Sequence, residues 1–219
     1  MLKTYFKIAW RNVRKNKLYS FINILGFTVG ITCCILIGLY ITDELSYDKF
    51  HTNADRIARI TMEFGSGGVV NAAVQTGTKA GPQFKRTFPA VQDYVRTMKY
   101  ARVVTYGDKQ FNEKNFLYAD ASFFVIFSFP LIEGDAATAL NTGDKIVITQ
   151  SAAKKYFGSA NPVGKILRTN SNKDFIVSAV AADVPGNSQI QFDFIINFNN
   201  LDAAKTEDWW TANYITYLL

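Results

Sequence analysis

The fold of this chain depends on one uncharged stretch near its N-terminus, LYSFINILGFTVGITCCILIGLYIT (Leu18–Thr42). As an α-helix these 25 residues would be about 37 Å long, enough to cross a hydrocarbon core of about 30 Å with some tilt. A cleavable signal peptide is the alternative, but its apolar part is only about 7–15 residues long, and this stretch ends in a poor cleavage site. We therefore predict one transmembrane helix at residues 18–42.

The charge distribution predicts how this helix is oriented. Six of the 24 basic residues lie in residues 1–17, which contain no acidic residue, and the rest of the chain balances 18 basic against 18 acidic residues. The positive-inside rule places residues 1–17 in the cytoplasm and exports residues 43–219. The six cations are Lys3, Lys7, Arg11, Arg14, Lys15 and Lys17.

The basic segment also has an apolar side. On a helical wheel its cations gather on one face and its apolar residues on the other. A nucleic-acid-binding arm would not need the apolar face, so we expect a helix lying in the lipid interface, with no nucleic acid as partner. The apolar residues are Leu2, Tyr5, Phe6, Ala9, Trp10 and Val13.

Small residues recur along the predicted span. Gly26, Gly30, Cys34 and Gly38 are four residues apart, and Asn23 continues the same face. Small side chains let another helix approach closely, and an amide in lipid needs a hydrogen-bond partner. We interpret the five as a helix-packing face, although chance spacing of glycine is the alternative.

The exported segment reads as an α+β domain of short apolar runs broken by turns. Its cysteine content excludes a disulfide scaffold, because the only two cysteines are adjacent within the span. We expect a loop at Gly65–Gly68, a turn at Asn170–Asn172, and helices at Lys79–Phe88 and from Thr149 to a stop at Gly158. The predicted strands are Arg56–Phe64, Val95–Tyr106, Asn115–Tyr118, Lys145–Thr149, Lys165–Arg168, Phe175–Ala181 and Gln191–Phe198.

Catalytic and cofactor motifs are not recognisable. The glycines before Lys165 have the wrong spacing for a phosphate-binding loop, and no hydroxyl residue follows the lysine. Glu44, Asp48, His51 and Asp55 would share one face if the span continued outward as a helix; they could hold a divalent metal or form a solvated acidic stripe. We expect the stripe, and therefore no metal, no cofactor and no enzymatic activity.

Several stretches together resemble the N-terminal part of MacB/FtsX-like ABC transporter permeases. The resemblance covers nearly the whole chain in order; Ala58 departs from it, at a position where an aromatic residue is expected. The stretches are Trp10-Arg11-Asn12, ELSYDKFHTNADRIARI (Glu44–Ile60), ITQSAAKKYFGSANPVGKIL (Ile148–Leu167) and DFIVSAVAADVPGNSQIQFDFIINF (Asp174–Phe198).

The resemblance implies a bacterial inner-membrane protein whose periplasmic core domain has a porter-like part and an inserted second part. It also implies a separate cytoplasmic ABC-type ATPase, a permease dimer, and a periplasmic adaptor or substrate protein as partners. The domain would pass ATP-driven movement of the helices to the periplasm, for efflux or envelope-related export. On this basis we expect the chain to be a fragment that stops inside the domain. A signal-anchored periplasmic sensor and a membrane-tethered enzyme are the alternative functions.

Overall fold

The computed structural model describes residues 2–66 and 69–219, which form two units. The first unit ends at Tyr47 and contains α1 (Leu2–Lys15) and α2 (Lys17–Glu44). A bend at Asn16 separates the two helices, and the Asn16 side-chain amide donates to Asn12 Oδ1 at 3.2 Å.

Helix α2 contains the predicted span and extends it by one residue before and two residues after. No residue of α2 is buried within the described chain. By length and composition, it is the one described helix able to cross a membrane. The boundaries of the membrane-embedded part, 18–42, stay a prediction.

The second unit runs from Asp48 to Leu219 and is a mixed α/β domain, as the sequence predicted. Its helices are α3 (Ala80–Thr87), α4 (Phe123–Ile126) and α5 (Gln150–Phe157), with short 3₁₀ turns at Ala54–Arg56, Phe198–Asn200 and Asp202–Lys205. Its described strands are β1 (Ala58–Arg59), β2 (Met62–Ser66), β3 (Val69–Ala73), β4 (Gln75–Thr76), β5 (Tyr94–Lys99), β6 (Arg102–Tyr106), β7 (Lys109–Glu113), β8 (Phe116–Ala119), β9 (Leu131–Glu133), β10 (Lys145–Thr149), β11 (Ile166–Thr169), β12 (Asp174–Ala181), β13 (Phe194–Asn197) and β14 (Tyr214–Leu218).

Twelve of the described strands form one mixed sheet, and ten of them lie side by side in the order β1-β14-β5-β8-β13-β10-β12-β11-β6-β7. Strand β4 pairs with β14, β9 pairs with β12, and β2 and β3 form a separate antiparallel hairpin. The β10–β12 and β13–β8 pairs are parallel and the other pairs of the sheet are antiparallel. A parallel pair needs a crossover connection, and α5 lies in the one that joins β10 to β12.

The central strands are apolar on both sides because the sheet is covered on both faces. Ile146 and Ile148 of β10 belong to one hydrophobic core and Val147 to the other, which follows from the two-residue period of a strand. Both cores are rich in phenylalanine. In the core that contains Val147, which we call the aromatic core, the rings of Phe123 and Phe129 are stacked with centroids 5.5 Å apart. This aromatic core lies beside the segment that follows the membrane helix.

Several local predictions are confirmed. The strand predicted at Lys145–Thr149 is β10, and the helix predicted at Lys79–Phe88 is α3, shorter by one residue at each end. The turn at Asn170–Asn172 joins β11 to β12, and Asn172 has a φ of 54°, a left-handed conformation that asparagine tolerates.

Other predicted strands are wrong in extent. Val95–Tyr106 is two strands, β5 and β6, because they pair with different neighbours on either side of Tyr100. The Arg56–Phe64 prediction covers β1 and most of β2, separated at Ile60–Thr61, and its first residue ends a 3₁₀ turn. Only Phe194–Asn197 of Gln191–Phe198 is a strand. In the predicted Gly65–Gly68 loop, the first two residues belong to β2, and residues 67–68 lie outside the described residues.

Candidate functional site

The chain is fastened to the core domain soon after it leaves the membrane helix. Helix α2 ends at Glu44, and Asp48 has a φ of 55°, in the left-handed region. The Asp48 N–H donates to the Asn187 carbonyl at 3.0 Å. Its carboxylate Oδ1 accepts from Ser188 Oγ at 3.0 Å and from the Gln189 N–H at 3.1 Å. Backbone and side chain of Asp48 therefore both bind the same loop, and we call these contacts the Asp48 clamp.

His51 anchors the same segment in the aromatic core. The side chain is only 5% exposed, and its ring centroid lies 4.0 Å from that of Phe50, 5.2 Å from Phe127 and 4.9 Å from Phe129. Nδ1 accepts a hydrogen bond from the Ser128 N–H at 3.1 Å. Because Nδ1 is the acceptor, the proton of the neutral ring is on Nε2, which is buried without a hydrogen-bond partner among the described residues.

Neighbouring residues extend this attachment. The Thr52 N–H donates to Ser128 Oγ at 2.9 Å, and the Asn53 side-chain amide donates to the Ile126 carbonyl at 3.3 Å. Further along, Arg59 Nη1 donates to Gln189 Oε1 at 3.3 Å. The segment from Asp48 to Arg59 is thus joined at several points to α4, to the residues after α4, and to the loop before β13.

Burial lowers the pKa of His51 from its ordinary value, and the nearby Asp48 carboxylate opposes this shift. An imidazolium at this position would have a second buried N–H and a charge facing phenylalanine rings. The neutral form is therefore the one that fits the packing.

The predicted acidic stripe does not form, and the geometry behind it is wrong. Helix α2 ends at Glu44 and the left-handed Asp48 turns the chain, so Glu44, Asp48, His51 and Asp55 do not share a helix face. The Asp48 carboxylate and the His51 imidazole are instead engaged with the core. Across residues 2–66 and 69–219, no group of three or more His, Cys, Asp or Glu side chains is placed to hold a metal.

The clamp joins two of the stretches that carried the family resemblance, Glu44–Ile60 and Asp174–Phe198. Sequence reasoning named both stretches but not their contact, and it missed Ser128, Ser188 and Gln189. These residues have no periodic or motif signal. Only the partner atoms in the fold identify them.

Four residues of the predicted packing face line one groove along α2, while their contact with another helix stays a prediction. Asn23, Gly26, Gly30 and Cys34 line it, and Gly38 continues the spacing. A Cβ built on Gly26, Gly30 or Gly38 would meet no atom within 4 Å outside the backbone of its own helix. The groove therefore has room for the backbone of a second helix.

Asn23 differs from the threonines of the same helix. Thr28 Oγ1 donates to the Ile24 carbonyl at 2.8 Å, and Thr32 Oγ1 donates to the Thr28 carbonyl at 2.7 Å. The Asn23 amide makes no hydrogen bond within the described chain, and an unpaired amide in lipid is costly.

The predicted interfacial cations divide between the helices. Lys3, Lys7, Arg11, Arg14 and Lys15 lie on α1, whereas Lys17 is the first residue of α2, and all six are exposed. Their contact with lipid stays a prediction.

Comparison with known proteins decides the family. A family model described as the MacB-like periplasmic core domain matches residues 20–218. The chain belongs to this family. The match confirms the predicted resemblance and places the MacB-like chain among the permease components of ABC transporters. No curated protein matches the chain.

Three solved structures are similar to this MacB-like chain. A domain of a protein described as a permease from Porphyromonas gingivalis is 26% identical, with a TM-score of 0.68. The match covers 77% of this chain and 74% of the chain in that structure, and coverages are given in the same order below. The periplasmic region of MacB from Actinobacillus actinomycetemcomitans is 17% identical, with a TM-score of 0.51 and coverages of 73% and 72%. The extracellular domain of the noncanonic ABC-type transporter YknZ from Gram-positive bacteria is 14% identical, with a TM-score of 0.54 and coverages of 75% and 83%. The last two support the fold alone.

The buried His51 makes the stability of the MacB-like domain depend on pH. Its folded pKa is lowered from an unfolded value of about 6.5, so the unfolded chain binds more protons between the two values. The free energy of unfolding should therefore be highest above about pH 6.5 and fall as the pH drops below it. Urea unfolding of the full chain in detergent, at several values between about pH 7.5 and pH 5.5, measures this slope.

His51→Asn is the matched control, because Asn Oδ1 can replace Nδ1 as an acceptor for the Ser128 N–H but does not titrate. The chain has one histidine, so the variant should show a clearly smaller slope in this range. An unchanged slope in His51→Asn would mean that His51 is not the titrating group.

Proposed function

We propose that this chain is the first membrane helix and the periplasmic core domain of an ABC transporter permease of the MacB/FtsX type. In this role it couples ATP hydrolysis by a separate cytoplasmic ATPase to movement in the periplasm of a bacterial inner membrane, for efflux or envelope-related export. The Asp48 clamp is the observation that carries the proposal.

The Asp48 clamp is the kind of short, fixed connection that a force-transmitting domain needs. Three residues separate Glu44, the end of α2, from Asp48, so the connection has little slack to absorb a displacement of the helix. Asp48 and His51 then engage the loop before β13 and the aromatic core. Close-packed interiors have low compressibility and transmit strain. A shift of α2 would therefore move the domain rather than stretch a linker.

The groove on α2 supports a role within a helix bundle. Gly30 and its neighbours leave space for another backbone, and Asn23 needs a hydrogen-bond partner that lipid does not supply. We assign this face to contact with further permease helices, including those of a second permease copy. The cations of α1 would rest on the anionic cytoplasmic leaflet and keep the helix in register with the membrane.

The orientation is tested by alkaline phosphatase, which is active only after export. Fused after residue 120 in the full-length protein, it should be active, because the cations of residues 1–17 hold the N-terminus in the cytoplasm. An inactive phosphatase, together with a fluorescent cytoplasmic-type reporter at the same site, contradicts the orientation.

Gly30→Leu tests the packing face in the full-length transporter. The substitution raises the hydrophobicity of the span, so insertion should be unaffected. It fills the groove, so close helix approach should fail. We expect loss of transport-dependent growth and loss of coupling of the ATPase to periplasmic movement, with a normal amount of protein in the membrane. Co-purification of the ATPase, its activity and growth are measured together.

Val29→Leu and Ile24→Leu are the controls, because neither position lines the groove. Both variants should behave as the wild type. If Gly30→Leu is indistinguishable from them in all three measurements, the groove faces lipid and the proposed bundle contact is wrong.

A further inference from the structure

A half-enclosed cavity of about 260 Å³ opens over the sheet beside the Asp48 clamp. Two cross-strand rows line the cavity, since Gln75, Ile215 and Thr97 are register partners, and so are Lys99 and Leu117. The residues of each row therefore lie side by side on neighbouring strands. Both rows lie at the end of the sheet face that packs against the aromatic core.

The wall of the cavity is the loop before β13. Gln191 Nε2 donates to the carbonyls of Pro185 at 2.8 Å and Ser188 at 2.9 Å, and Gln189 Oε1 accepts from Arg59. The Gln189 N–H is also a donor of the Asp48 clamp. These bonds fix the wall in place, so the cavity is preformed.

The cavity has an apolar floor and a polar rim whose side chains can still form hydrogen bonds or an ion pair. Leu117 and Tyr217 are buried and Ile215 is partly buried, so the floor is largely apolar. Among the described residues that line the cavity, Lys99 is the one that carries a charge. Its ammonium group is exposed and makes no ion pair or hydrogen bond with the described residues.

The amides at the rim add a second polar feature. Gln75 and Asn213 are exposed, and their side-chain amides make no hydrogen bond within the described chain. A cation, free amides and an apolar floor together match a ligand with a carboxylate, an amide and a branched apolar group. The volume is below the roughly 300–1,000 Å³ of sites for drug-sized ligands, which favours a ligand of about one amino-acid residue.

We propose that this cavity binds an apolar amino-acid residue that has a free carboxylate and an acylated nitrogen. Its carboxylate pairs with Lys99, its amide bonds to the rim amides of Gln75 and Asn213, and its side chain packs on Leu117 and Ile215. An N-acylated amino acid and the C-terminal residue of a peptide both have this chemistry. Binding here does not depend on the proposed transport function, so either proposal can fail without the other.

Ligand-observed NMR titration of the full chain in detergent tests the proposal with N-acetyl-leucine. Saturable binding is expected at about millimolar affinity, as is usual for so small a ligand. N-acetyl-leucinamide, which lacks the charge, should bind about fivefold more weakly, the effect of a partly solvated ion pair. N-acetyl-glycine, which leaves the floor uncovered, should bind at least about tenfold more weakly.

Lys99→Gln assigns the carboxylate to its partner. The variant should bind N-acetyl-leucine as weakly as the wild type binds the leucinamide, and its affinity for the leucinamide should be unchanged. Lys114→Gln is the matched control, an exposed lysine outside the cavity lining, and should bind as the wild type does. Absence of saturable binding, or equal affinities for Lys99→Gln and Lys114→Gln, would overturn the proposal.

Acetyl-Ala-Ala-Leu separates the two sources of the ligand. If the tripeptide binds as well as N-acetyl-leucine, the cavity accepts the C-terminal residue of a peptide through its open side. If only N-acetyl-leucine binds, the ligand is a single acylated amino acid. Both results support the proposal, provided that Lys99→Gln weakens each binding event.

Discussion

The carboxylate of Asp48 accepts hydrogen bonds from Ser188 and Gln189, 140 and 141 residues further along the chain, and the proposed mechanical role depends on this contact. Without it, Asp48 would keep its backbone bond to the Asn187 carbonyl but lose its side-chain contacts with the loop before β13. With it, the chain is fixed within four residues of the end of the membrane helix. A left-handed residue at Asp48 is what turns the chain toward its partners.

The sheet of the core domain behind the clamp is packed on both faces, and aromatic rings fill both cores. Disulfides do not contribute, since the two cysteines lie in the span. A buried Arg96–Asp120 pair, with a contact of 2.7 Å and the Phe198 ring 4.2 Å from the guanidinium carbon, joins β5 to the loop after β8. Packing and buried hydrogen bonds, rather than covalent cross-links, therefore hold together the domain to which we assign the transmission of force.

Sequence reasoning succeeded where the signal is local. The uncharged stretch predicted α2, and the apolar run at Lys145–Thr149 predicted β10. It failed where residues distant in sequence decide the structure. Strands β5 and β6 were predicted as one strand because the local pattern does not show that they pair with different neighbours. Strand β14 was missed although it pairs with three strands of the sheet. The stripe ending at Asp55 was misread because helical spacing was extended past Glu44.

A double-mutant cycle between Asp48 and Ser188 tests the Asp48 clamp most directly. Asp48→Ala, Ser188→Ala and the double variant are compared with the wild type by urea unfolding of the full chain in detergent, with Asp55→Ala, an exposed acid nearby, as the control. A clamp between the two side chains predicts a coupling energy of at least about 1 kcal/mol, while Asp55 shows no coupling to Ser188. Additive effects of Asp48→Ala and Ser188→Ala would contradict the clamp.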